Sequence, residues 1–134
     1  MENTIRVNKR RSNSIRLKVT SRCELHCNFC HKEGGGRIED LGWDRKLQEA
    51  ILALKQSMNI DEIHFTGGEP TESEYLGGLT HALISNGFKV KTTTNGFCEK
   101  ERLIALYSNG LRYLNFSIHT LDPVTLQRIQ KRMN

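Results

Sequence analysis

The chain has 134 residues, 37% of them hydrophobic and 26% charged, which suits one globular domain with one core. No apolar run is long enough to cross a bilayer. The basic start "MENTIRVNKRRSNS" has no apolar segment after it, so it does not read as a secretory signal, and the cytoplasm is the expected compartment. The net charge of +5 sits in residues 1–18, which hold six of the 20 basic residues (Arg6, Lys9, Arg10, Arg11, Arg16, Lys18) against Glu2 alone, so the remainder is balanced. Residues 1–13 read as a solvated basic arm. No stacking aromatics accompany it, and nucleic acid is not an expected partner.

In chain order, "SIRLKVT" (14–20) alternates apolar and polar residues and reads as a strand with one buried face. "CELHCNFC" and "KEGGGR" follow as a loop, because consecutive glycines do not hold a regular element. Trp43, Leu47, Ala50, Ile51, Leu54 and Met58 recur at helical spacing over 43–58. "EIHFT" (62–66) is a strand ending in "GGEP". Thr71 with Glu74 three residues on predicts a capping box that opens a helix, closed at Gly87. "FKVKTTT" (88–94) is a strand ending in "NG", a helix over 99–109 stops at Gly110, and "LRYLNFSI" (111–118) is a fourth strand. Asp122–Pro123 is a cap and first-turn pair for a last helix. The order βαβαβαβα predicts an α/β fold with a parallel sheet. Ligands of such sheets lie at the carboxyl ends of the strands. The cysteines, "GGEP", "TTNG" and the Ser117/His119 pair each fall at such an end.

Cys23, Cys27 and Cys30 form C-x3-C-x2-C on the loop after the first strand. Three thiols cannot all pair as disulfides, and the cytosol disfavours such bonds. A structural zinc site needs a fourth ligand, and the nearby candidates, His26 and His31, each adjoin a cysteine. An iron–sulfur cluster fits the spacing best, since each thiolate can hold one iron of a cubane and one iron stays open. Cys98, outside the loop, reads as a spare thiol, and His81 as a surface residue.

C-x3-C-x2-C with Phe29 before its third cysteine, followed by "GGEP" after the second strand, resembles the radical S-adenosylmethionine (SAM) superfamily. "IRLKVTSRCELHCNFC", "IHFTGGEP", "TTTNG" and "GLRYLNFSIHTLDP" resemble blocks of its GTP 3′,8-cyclase branch, from molybdenum-cofactor biosynthesis. The resemblance implies that residues 14–134 are the N-terminal (βα)4 portion of a partial (β/α)6 barrel. It implies a [4Fe–4S] cluster on Cys23, Cys27 and Cys30, with S-adenosyl-L-methionine chelating the open iron. An electron from the cluster then cleaves SAM to methionine and a 5′-deoxyadenosyl radical. By the same resemblance Phe29 offers its backbone to the adenine, Gly67, Gly68 and Glu69 line the pocket for the SAM amino group, and Ser117 reaches the SAM carboxylate or ribose. Arg16 and Thr93 match substrate-contacting positions, and a flavodoxin or ferredoxin is the implied electron donor.

Each role has a plainer reading: Arg16 as an outward side chain of a half-exposed strand, Thr93 as a β-propensity choice, Ser117 as a turn cap. His64 stands where the cyclases place an arginine for the triphosphate, and a neutral imidazole cannot make that bidentate contact. His119 replaces an acidic residue. The family's remaining strands and its second cluster have no counterpart, so GTP cyclisation by these residues alone is not expected. Two further readings stay open: a non-catalytic remnant or partner-dependent subunit that needs a complementing C-terminal half or an oligomer, and a zinc module.

Overall fold

The alternation over Ser14–Thr20 becomes strand β1, which turns Ile15, Leu17 and the fully buried Val19 to one face and Arg16 and Lys18 to the other. This computed structural model describes residues 13–23, 25–27, 40–118 and 120–132. The basic arm, apart from Asn13, lies outside them. After β1 come a short strand β2 (Leu25–Cys27), helix α1 (Arg45–Met58) and strand β3 (Glu62–Gly67). A 3-10 turn (Pro70–Glu72), helix α2 (Leu76–Ser85) and strand β4 (Lys89–Thr94) follow. Helix α3 (Lys100–Ser108), strand β5 (Tyr113–Phe116), helix α4 (Pro123–Ile129) and strand β6 (Gln130–Arg132) complete the order.

The main sheet is parallel, in the order β1-β3-β4-β5, so each strand pairs with its successor along the chain and leaves room for a helix between. The helices cover one face. Ile51 of α1, Leu76, Leu79 and Leu83 of α2 and Leu106 of α3 pack with Val19, Ile63, Phe65 and Val90 of the strands into one core. Burying each of these large side chains stabilises the fold by roughly 1.5–3 kcal/mol before entropy is counted.

Local chemistry accounts for the helix ends. Asp44 caps α1 by accepting from the Leu47 N–H at 2.8 Å, and Asn59 ends it in the left-handed region at φ 54°. Gly87, with φ +84°, turns the chain out of α2 as expected.

Three expectations are corrected. The capping box at Thr71 does not form: the Thr71 hydroxyl donates to Glu69 instead, only a 3-10 turn follows, and α2 starts at Leu76 with no side-chain cap. The cysteine segment is not wholly loop, because Leu25–Cys27 pairs antiparallel with β6, Cys27 opposite Gln130. The last helix accordingly stops at Ile129 and gives way to a strand. Both strands of that pair are three residues long, too short for any periodicity to announce them.

Candidate functional site

The parallel register brings the carboxyl ends of β1, β3, β4 and β5 to one edge of the sheet. The β1 and β3 pairing runs from Ser14 opposite Glu62 to Lys18 opposite Thr66, then shifts so that Thr20 meets Gly67. Beyond the strands the contact continues: the Gly68 N–H donates to the Thr20 carbonyl at 3.0 Å and the Glu69 N–H to the Arg22 carbonyl at 2.6 Å. Cys23, half-buried and not in a disulfide, is the next residue.

This close approach explains the two glycines. A Cβ on Gly67, whose φ is +142°, would lie 2.2 Å from the Thr20 carbonyl oxygen, and one on Gly68 would lie 2.1 Å from that of Arg22. The resemblance implies that these glycines line a ligand pocket. The neighbours found are backbone atoms of the cysteine-bearing segment, so any side chain at Gly68 would force these two loops apart.

Glu69 is buried, at 3% exposure, and four donors of the protein meet its carboxylate. Oε1 accepts from the Thr71 N–H at 3.3 Å, the Thr71 hydroxyl at 2.7 Å and the Thr94 hydroxyl, while Oε2 accepts from the Asn95 N–H at 2.8 Å. A side chain expected to line a pocket therefore ties the "GGEP" turn to the "TTNG" turn. The link extends to β5, where the Ser117 N–H donates to the Thr94 carbonyl at 2.8 Å. Cys98 lies beside this node. Burial pushes its thiol up, the Thr71 hydrogen bond opposes that, and the negative Glu69 adds to it. A thiol held protonated is a poor metal ligand.

The face away from the helices is polar. The register sets Arg16, His64, Lys91 and Tyr113 side by side across the four strands. His64 Nε2 lies 2.9 Å from the Thr93 hydroxyl. Glu62, at 6% exposure, pairs with Lys91 at 3.1 Å and Lys89 at 3.8 Å, and Lys89 lies over the Tyr113 ring at 4.2 Å. Among the described residues of this face, Arg16, Lys18, Lys89 and Lys91 outnumber the one carboxylate, Glu62.

Gly67, Gly68, Glu69 and Ser117 stand together at the strand ends, with Cys23 at the first of them. Arg16 and Thr93 lie on the polar face, Thr93 within the His64 contact. The backbone of Cys27 is in β2, and Phe29, Cys30 and His119 lie outside the described residues. Among the described residues no three His, Cys, Asp or Glu side chains group closely enough to hold a metal, and no helix is long and apolar enough to cross a membrane. Sequence reasoning missed Asp40, which binds Thr20 and Arg22, and the Thr71, Thr94 and Asn95 donors to Glu69. It also missed the Glu62 ion pairs. The one available signal was the unusual acid "E62" at a core strand's start.

The profile of the radical SAM superfamily matches residues 17–134. A GTP 3′,8-cyclase of Peptoclostridium acidaminophilum is 35% identical over 127 residues, 91% of this chain and 39% of its own length. One from Aquifex aeolicus is 32% identical over 127 residues, 88% of this chain and 38% of its own. The chain therefore spans well under half the length of these relatives. Among solved structures, Streptococcus suis SuiB bound to S-adenosylmethionine superposes with a TM-score of 0.65 at 25% identity, covering 90% of this chain and 29% of that one. BtrN in complex with AdoMet and 2-DOIA gives 0.61 at 22% identity, over 82% and 47%, and bears on the fold alone. The chain belongs to the radical SAM superfamily.

Proposed function

We propose that residues 14–134 are the cluster- and SAM-holding part of a radical SAM enzyme. The observation that carries this reading is the direct backbone contact between the residues preceding Cys23 and the Gly68–Glu69 turn. On this reading the contact sets Cys23, the proposed first cluster ligand, beside the segment proposed to receive the SAM amino group. The donor set suits the group: Cys23 is half-buried at the mouth of the strand ends, and Cys27 and Cys30 follow at spacings that let each thiolate take one iron. When bound, the cluster supplies the electron that cleaves SAM to methionine and a 5′-deoxyadenosyl radical.

This chain's residues hold and exclude. The glycines keep the two loops in contact, Glu69 fixes the turn, Phe29 offers its backbone to the adenine, and Ser117 closes the fourth strand end against the SAM carboxylate or ribose. The polar face supports an anionic, nucleotide-like substrate, met by Arg16 and Thr93 with the lysines nearby. A flavodoxin or ferredoxin is the proposed electron donor, and the cytoplasm the proposed compartment. Because the relatives are much longer, we place completion of the substrate wall in a complementing half or an oligomer.

Anaerobic reconstitution with iron and sulfide is the test. A brown protein with four irons is expected, with Cys23→Ala, Cys27→Ala and Cys30→Ala each abolishing the cluster and Cys98→Ala sparing it. Added SAM should change the electron paramagnetic resonance signal of the reduced cluster. Stoichiometric zinc in place of iron, or a full cluster indifferent to SAM, would sink the reading.

A further inference from the structure

The segment that carries the three cysteines runs from Thr20, the end of β1, to Asp40, and these two residues are joined. Thr20 and Asp40 form an antiparallel bridge, and the Leu41 N–H donates to the Val19 carbonyl at 2.8 Å. The Asp40 carboxylate divides its oxygens: Oδ1 accepts the Thr20 hydroxyl at 2.5 Å, and Oδ2 meets the Arg22 guanidinium at 3.1 Å. The Thr20 hydroxyl in turn accepts the Arg22 N–H at 3.1 Å. Asp40 is 11% exposed and Arg22 48%, so water screens the ion pair from one side only.

The same residues face the "GGEP" turn with their other groups. The Thr20 and Arg22 carbonyls are the acceptors for the Gly68 and Glu69 N–H groups. One carboxylate therefore orients two residues whose carbonyls set the distance between Cys23 and Gly68. Without it, the base of this segment would be held by the Thr20–Asp40 bridge and the Leu41–Val19 hydrogen bond, with no side-chain tie between them.

We propose that Asp40 is a positioning residue, a clasp that holds Cys23 at a fixed offset from the Gly68–Glu69 turn through Thr20 and Arg22. It rests on the reading of Cys23 as a cluster ligand. The charge is not the whole of it: the two oxygens must reach two partners at once. Asp40→Ala removes both contacts, Asp40→Asn keeps an acceptor for Thr20 and loses the charge, and Asp40→Glu keeps the charge on a longer arm.

Two measurements test the clasp. In metal-free protein, hydrogen exchange at the Gly68 and Glu69 amides reports local opening; Asp40→Ala should speed it about tenfold, with Phe65 and Val90 unchanged. In reconstituted protein, Asp40→Ala should release iron to a chelator about tenfold faster and Asp40→Asn a few-fold faster, with Asp40→Glu partly rescued. If Asp40→Ala does not fold, Asp40→Asn decides by the same readings. Unchanged exchange and iron release, or equal loss of protection at Phe65 and Val90, would overturn the proposal. If the unaltered protein takes up no iron, the cluster reading fails, and amide exchange alone decides the clasp.

Discussion

A carboxylate has two oxygens and no proton to give, and at Glu69 both oxygens are met by donors. Replacing it with glutamine keeps the shape but turns one end into a donor. That end would then face either the Asn95 N–H or the Thr71 and Thr94 hydroxyls. Glu69→Gln should therefore cost about 1–3 kcal/mol, the penalty of unsatisfied buried groups, measured by urea unfolding. Stability equal to the unaltered protein would mean that the node is not formed. Thr92 is the opposite case. Its hydroxyl is buried on the core face of β4 and has no hydrogen-bond partner among the described residues, so Thr92→Val exchanges that hydroxyl for a methyl group of the same shape. It should stabilise by about 1 kcal/mol in the same assay.

At the scale of elements, α4 depends on one cap. The Thr125 hydroxyl and N–H, the latter at 2.8 Å, donate to Asp122 Oδ2 and hold its carboxyl below its ordinary value of 3.8. A carboxyl lowered in the folded state supports that state above its unfolded pKa, and the support is lost as pH falls through the folded value. The start of α4 should thus fray as pH drops below about 4, while Asp122→Asn should remove that pH dependence. Amide exchange at Thr125 and Leu126 across an acid titration checks it, with no acid-linked change counting against the cap. The rest of α4 adds little, since none of its residues is buried. Glu62 shows the same logic in a strand: buried at the start of β3, it is matched by Lys89 and Lys91 from the neighbouring strand.

For the whole molecule, β5 is an edge of the main sheet, and the surface beside it is apolar. Tyr113, Phe116, Ile118 and Leu121 are 48%, 51%, 55% and 90% exposed. An edge strand with unpaired backbone groups and exposed apolar neighbours favours association. The 134-residue chain should sediment as a concentration-dependent mixture, and Phe116→Lys with Ile118→Lys should shift it toward monomer. A single monomeric species at all concentrations would count against this.

The sequence by itself determined the parallel alternation, the bounds of β1 and the gathering of "GGEP", "TTNG" and Ser117 at one edge. Those rest on short-range causes: a two-residue period picks a strand's buried face, and glycines and caps stop elements locally. Only the tertiary structure decided which side chain answers which. Thr71 looked like a helix cap until Glu69, folded back and buried, took its hydroxyl. Gly67 and Gly68 give no sign in the sequence that the Thr20 and Arg22 carbonyls stand where their Cβ atoms would be. Asp40 carried no mark at all beyond its place after a glycine-rich run. A period tells which way a side chain points, but its partner is set by register between segments far apart in the chain, and that register exists only once the sheet has formed.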